Sequence, residues 1–406
     1  MARTTRRFFS QKDLIGSLVG PNFDNSMYTF IGPQHPSNPE KNGEISGISQ
    51  KKSEKILYDP FFYYFGNRKD RLRPAVVQFC ANVIKSTDPY VEKIKLYVEA
   101  LHQTSLILDD VQYDSKSRGG KPTGHEIFGL NTTIKSCGKL MSSDIISSFV
   151  KSLKELGPLD QFKEFKIREV HEETLRNFHI GKSLDLAWQN QKPENFKPQE
   201  SDYFSLIDMK TGSIMTAGVL MLKALSNRPA ECDLLFPPVY NFAKACHIYD
   251  EIANFDSSDN NAMNDIAEDI VAGKTSYPVL FMLVHGAKEQ ASELLKILRT
   301  EKKDEKMLKR AIELLRENDF VEEGKEVAIE YLENGFTSFH LNFGVNTAIQ
   351  WAEFCREVMP FSKEVFSPSE YSIGVPDERI AEDSPAKRRF NENLAIETEK
   401  RWNRQF

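Results

Sequence analysis

The chain has 406 residues, and 53 Lys and Arg against 59 Asp and Glu leave a formal charge of −6, which disfavours a general nucleic-acid binder. A mean hydropathy of −0.47, and the lack of any apolar run of the roughly 18 residues that a spanning helix needs, exclude a membrane-crossing helix. Five scattered cysteines provide neither a disulfide framework nor a CxxC metal pair, and point to a reducing, cytoplasmic compartment.

The first residues carry Arg3, Arg6 and Arg7 with no acid before Asp13, and read as a short basic tail. From about residue 20 to 52 the chain is rich in Pro, Gly, Asn and Ser, so 1–52 is expected to be a flexible arm. The run Phe61–Phe65 should pack the first helix onto the body or onto another subunit. Apolar residues at helical spacing then predict helices over 90–108, 210–225, 239–255, 277–285, 290–298 and 306–315. Alternating strand-like runs are missing, so the class is all-α, with about ten or more helices over 53–360 around one cavity. The charge run 299–310 reads as a solvated face or loop, and 361–406 as a tail with one short helix near 391–401.

Chemistry concentrates at two acidic helix ends. An apolar helix runs into Asp109, Asp110 and Asp114, and the last two are four residues apart, on one face. Paired carboxylates suit a hard cation such as Mg²⁺, which bridges carboxylates to phosphates, and Arg118 downstream suits a phosphate. Alone, this segment reads equally well as a solvated helix end. A second acidic end carries Asp250, Glu251 and Asn254, followed by Glu268, Asp269, Gly273 and Lys274. The helical histidines 102, 179 and 247 form no HxxxH pair, which argues against zinc.

These segments resemble the trans-isoprenyl diphosphate synthases, in particular the eukaryotic geranylgeranyl diphosphate synthases. Asp109–Asp114 and Asp250–Asn254 correspond to the two aspartate-rich motifs, and 268–278 is similar to the EDLxxGKxSxP element. The segment 179–188 resembles HxGQxxDxxW, Lys210-Thr211-Gly212 the KTG element, and 71–74 the end of GGKRxRP. The resemblance implies an isoprenoid-synthase helical bundle, a homodimer, and Mg²⁺ held by Asp109, Asp110, Asp114, Asp250 and Asn254. It also implies diphosphate binding by Arg118, Lys210, Lys274, Arg73 and His102, with Thr211 beside Lys210. Small Thr104 and Ser105 before the first motif favour a long C15–C20 prenyl chain, because bulky residues there close the family's channel early.

Several positions depart from the family pattern. The fifth position of the first motif is Tyr113, and Asp114 lies one residue, about 100°, further round the helix. Asn264 stands where the family has a lysine, Asp70 where it has the GK lysine, and Gly119 where it has a second arginine. Lys182 replaces the glutamine of HxGQ, and a buried lysine there needs an anionic partner. The donor site is thus expected to survive while the isopentenyl diphosphate site is degraded. The expected activity is transfer of a prenyl group to an acceptor other than isopentenyl diphosphate, such as an indole or another aromatic. Chain elongation, with Lys69 and Arg71 covering for the lost cations, and terpene cyclisation are the alternatives. A catalytically weak partner subunit is disfavoured because both acidic motifs persist.

Overall fold

The computed structural model describes residues 11–31, 50–67, 71–256, 269–317 and 320–359. The described residues are helical apart from turns and one two-stranded ribbon, Ser117–Arg118 against Lys121–Pro122. The predicted helices are all present, at Tyr90–Gln112, Ser213–Leu225, Phe236–Asp256, Tyr277–His285, Lys288–Leu298 and Glu305–Arg316. The 390s helix of the tail lies outside the described residues.

Local chemistry explains several boundaries. Asp160 opens Gln161–Gln189 by accepting hydrogen bonds from the Phe162 and Lys163 N–H groups, and Asp304 opens Glu305–Arg316 by accepting from Met307 N–H. Pro278 sits in the first turn of Tyr277–His285, where a missing N–H costs nothing. The flexible-arm expectation does not hold for residues 11–31. They form the helices Gln11–Val19 and Phe23–Ile31, and the second buries Phe23, Met27, Phe30 and Ile31. Composition missed this because the four apolar side chains fall on one face of a single short helix between turn-rich stretches.

The helix Phe236–Asp256 packs chiefly on Phe320–Phe343, while Ser213–Leu225 lies between Gln161–Gln189 and Tyr90–Gln112. One apolar core runs from Val19 to Met359 and includes the Phe79, Phe242, Phe339, Trp351 and Phe354 cluster. A smaller core, with Ile270, Val279, Leu294 and Leu315, joins the three helices after the second acidic motif. The aromatic run packs within this chain: Phe61, Tyr64 and Phe65 are buried in the main core.

A buried polar pair crosses that core. The Tyr97 hydroxyl lies 3.0 Å from His171 Nδ1, and His171 Nε2 lies 3.3 Å from the Met141 carbonyl. A carbonyl only accepts, so Nε2 carries the proton and Nδ1 accepts from Tyr97. Burial pushes the His171 imidazole down from 6.5 to about 4. The unfolded chain therefore takes up the proton first as pH falls, and stability present above pH 6.5 is lost on the way to pH 4. The full loss is about 3 kcal/mol. Urea unfolding of His171→Gln across that range should show a correspondingly flatter acid slope.

Candidate active site

Five elements converge at one end of the bundle. The end of Tyr90–Gln112 brings Asp109 and Asp110, and Gln161–Gln189 brings Lys182 and Asp185. A π-turn at Asp208–Gly212 carries Lys210 and Thr211, Phe236–Asp256 carries His247, Asp250 and Glu251, and the loop after residue 268 carries Asp269 and Lys274. The π-turn matters because a single wide turn re-aims two successive side chains. Lys210 goes to Asp185 on one side and Thr211 to His247 on the other. Gly181 lets the long helix approach this turn: a Cβ there would stand 2.7 Å from the Lys210 backbone nitrogen.

The charges interlock. Lys182, only 2% exposed, places its ammonium 2.5 Å from Asp109 Oδ1 in a buried ion pair. Burial pushes this ammonium down to about 8, and neighbouring Lys210 adds to the fall while Asp109 opposes it. Asp185 accepts from Tyr113 Oη at 2.6 Å and from Lys210 Nζ at 2.7 Å. Burial would raise the Asp185 carboxyl, but Lys210 and Lys182 hold it well below the usual carboxylate range. Burial pushes the Lys210 ammonium down, but Asp185, Tyr113 and Asp109 together push it up further, so it stays charged. The Tyr113 ring has the Lys182 ammonium 5.0 Å and the Lys274 ammonium 4.5 Å from its centre, a cation–π arrangement. Lys274 pairs with Asp269 at 2.5 Å.

Asp110 is fully buried and both its oxygens are used. Oδ1 accepts from Arg118 Nε at 2.7 Å, and Oδ2 accepts a short hydrogen bond from the Tyr64 hydroxyl. Asp114 is not brought to this group. The helix ends at Gln112, Tyr113 caps it, and Asp114 takes a left-handed backbone conformation with φ +51°. Its exposed carboxylate pairs with Lys116 at 2.9 Å, beside His125 at 3.6 Å. The one-residue shift to Asp114 therefore ends in a loop contact.

On the second acidic helix Asp250 is exposed, and it and half-buried Arg73 both act electrostatically on Cys246. The Asn254 side chain, Lys69, Asp70, Asn264 and Glu268 lie outside the described residues. His102, Thr104 and Ser105 are buried, and the two hydroxyls bond back to the carbonyls of Ala100 and His102 in their own helix. Arg71 points into the body, with contacts to Glu99 at 3.2 Å, Asp24 at 3.1 Å and the Phe65 carbonyl at 3.0 Å.

Three residues have a part here that the sequence reading does not give them. Tyr64 was read as packing, yet it holds Asp110. Glu251 accepts a short hydrogen bond from the Tyr203 hydroxyl and one from the Tyr277 N–H at 2.7 Å, and it faces His247 Nε2 at 3.2 Å. Burial would raise the Glu251 carboxyl, but His247 and these donors hold it below its ordinary value. The spacing of His247 and Glu251, four apart on a helix, was the available signal. Arg299 was assigned to a solvated run, but it donates to the carbonyls of Trp188, Gln191 and Gly273, tying the Lys274 loop to the long helix.

The family model for polyprenyl synthetases matches residues 54–315. The chain is 28% identical over 272 residues to a geranylgeranyl pyrophosphate synthase of Dictyostelium discoideum, covering 67% of this chain and 83% of that relative. It is 27% identical over 269 residues to an IDS-like terpene synthase 3 of Melampsora lini, covering 65% of this chain and 78% of that relative. Among solved structures, a polyprenyl synthase of Caulobacter crescentus aligns with a TM-score of 0.67 at 17% identity, over 88% of this chain and 98% of that one. A geranylgeranyl pyrophosphate synthetase of Pyrococcus horikoshii aligns at 0.65 and 18%, over 88% of this chain and 98% of that one. The family-model match over well more than half of the chain, on an all-α body that gathers Asp109, Lys182, Asp185, Lys210 and Lys274 at one end, places this protein in the polyprenyl synthetase family, with the isoprenoid-synthase fold and a prenyltransferase function.

Proposed function

We propose that this prenyltransferase ionises a long allylic diphosphate, C15 to C20, and joins the prenyl group to an acceptor other than isopentenyl diphosphate, such as an indole or another aromatic. The observation that carries this reading is Arg71. Elongation on isopentenyl diphosphate needs Arg71 to help replace the cations missing at Asp70 and Gly119. Arg71 is only 5% exposed and already bound to Glu99, Asp24 and the Phe65 carbonyl. Freeing it would leave Glu99, whose side chain is fully buried, without that partner, which is costly.

On the donor side the residues fit a divalent cation. Asp250 is an exposed carboxylate on the second acidic helix, and Asp109 keeps its Oδ2 oxygen beside the Oδ1 that faces Lys182. Asp109 and Asp250, with Asn254, would hold Mg²⁺, which when bound supplies charge to the diphosphate leaving group. Arg118, Lys210 and Lys274 each pair now with one carboxylate and keep donors for phosphate oxygens, with Arg73 and His102 further along the site. Lys210 is held charged and Thr211 is oriented by His247, so the cradle is set before substrate arrives. The two neutral, back-bonded hydroxyls at Thr104 and Ser105 keep the flank of the helix small and suited to a prenyl tail. We place the enzyme in the cytoplasm, as a homodimer, with its five cysteines all free and buried. No described helix is long and apolar enough to cross a membrane.

Chain elongation is the second reading, supported by the likeness to the Dictyostelium discoideum geranylgeranyl pyrophosphate synthase, and cyclisation the third, supported by the likeness to the Melampsora lini terpene synthase. The test is incubation with Mg²⁺ and farnesyl or geranylgeranyl diphosphate, with and without isopentenyl diphosphate, beside a panel of aromatic acceptors. Mass spectrometry after phosphatase treatment should show a prenylated acceptor and no longer prenyl alcohol. Elongated alcohols would overturn the proposal in favour of chain elongation, and a cyclic hydrocarbon would overturn it in favour of cyclisation.

A further inference from the structure

We propose that the Lys182 ammonium takes the place of one divalent cation at the end of the Tyr90–Gln112 helix, so that the site closes on a diphosphate with a smaller metal complement than two acidic motifs would otherwise hold. The inference rests on the diphosphate-binding reading above and concerns how the charge is supplied.

Three carboxylates in the sequence could serve cations at this helix end, and the structure leaves one. Asp110 has both oxygens committed, to Arg118 and to Tyr64. Asp114 is turned into the loop and paired with Lys116. Asp109 remains, and it already has a buried positive charge 2.5 Å away. A second cation at Asp109 Oδ1 would meet that ammonium at close range in a site of low dielectric.

Position 113, one turn beyond Asp109 on the same face, completes the argument. It holds a neutral phenol instead of an anion: burial pushes the Tyr113 hydroxyl up, and its proton is donated to Asp185. Its ring takes two ammonium groups, Lys182 and Lys274, where an acid would take a metal ion. One anion is absent at position 113 and one cation is present at position 182, and both changes lower the number of divalent ions this end can hold. The Lys182 ammonium has three donors and one carboxylate partner, Asp109, so it keeps donors for phosphate oxygens.

The test uses the full chain, Mn²⁺ as the ion and inorganic pyrophosphate as the anion. Electron paramagnetic resonance counts the Mn²⁺ bound per chain at saturating pyrophosphate, for the unmodified protein and for Lys182→Gln/Tyr113→Asp. The double variant should bind one more ion. In EDTA the unmodified protein should bind pyrophosphate on the order of tenfold more tightly than Lys182→Gln. Lys182→Gln alone keeps the Tyr113 ring in its packing, and it should also gain the ion, so a poorly folded double variant leaves the test intact. Equal Mn²⁺ counts in all three proteins would overturn the proposal while leaving the site where it is. Failure of the unmodified protein to bind Mn²⁺ with pyrophosphate at all would overturn the diphosphate reading together with it.

Discussion

Lys210→Ala lowers turnover of an allylic diphosphate by a factor of about 10² to 10³, the size of effect that follows loss of one preorganised charge donor at a developing anion. It destabilises the chain less than removal of half a buried ion pair ordinarily does. The reason lies in what Asp185 keeps. Without Lys210, its carboxylate still accepts from the Tyr113 hydroxyl at 2.6 Å and still feels the Lys182 ammonium. Lys182 in turn loses a like-charged neighbour that now pushes it down. The expected cost is therefore roughly 2 kcal/mol in urea unfolding, below the 3–5 kcal/mol of an abandoned buried charge. Lys210→Ala/Asp185→Asn should recover most of that stability and none of the activity, because the double change restores neutrality without restoring a phosphate donor. Near-normal turnover of the single variant would remove Lys210 from the diphosphate site.

The class of the fold was legible because its signal is periodic. Apolar residues at helical spacing mark 277–285 to the residue, and the Pro278 and Gly286 that bound it are visible in the sequence. The helix expected over 90–108 runs a turn further, to Gln112, since Leu108 is followed by acids whose burial only tertiary contacts decide. Asp110 looks like a surface residue in sequence and is fully buried, because Tyr64 and Arg118 reach it from segments 46 and 8 residues away. The same limit applies to Arg71 and Arg299. Arg71 is aimed inward by Asp24 and Glu99, and Arg299 by the carbonyls of Gly273 and Trp188, all far along the chain. Collinear motifs marked segments that the structure brings together, because KTG and the HxGK segment are local. They could not show that Asp114 turns away, since that depends on where the helix stops and on a left-handed residue just beyond the cap. The need for an anion beside Lys182 was readable from burial cost alone, but not which carboxylate supplies it.

Gly181→Ala and Gly138→Ala, the same substitution on two helices, move stability in opposite directions. Gly138 lies exposed near the end of Leu130–Lys139 with nothing within 4 Å of an added Cβ, so alanine there gains about 0.4–1 kcal/mol by restricting the unfolded chain. At Gly181 the added carbon meets the Lys210 nitrogen at 2.7 Å, the Met209 Cβ at 2.9 Å and the Met209 carbonyl carbon at 3.0 Å. Two of these three atoms are backbone in a π-turn fixed from both sides, so the turn cannot yield by a rotamer change. The long helix and the turn must part by several tenths of an ångström. Overpacking of this kind costs about 1–3 kcal/mol and outweighs the helix propensity gained. The functional effect is larger than the loss of stability suggests. Parting those two elements lengthens the Lys210–Asp185 contact of 2.7 Å and shifts Lys182 relative to Asp109 at the same time. A displacement approaching 1 Å in such a cradle lowers turnover by about 10²-fold. Thermal melts should place Gly138→Ala above the unmodified chain and Gly181→Ala below it. The allylic diphosphate assay should find the first unchanged and the second slow. A fast, stable Gly181→Ala would mean that the long helix does not hold the π-turn, and that Lys210 is positioned by the opposite wall through Thr211 and His247.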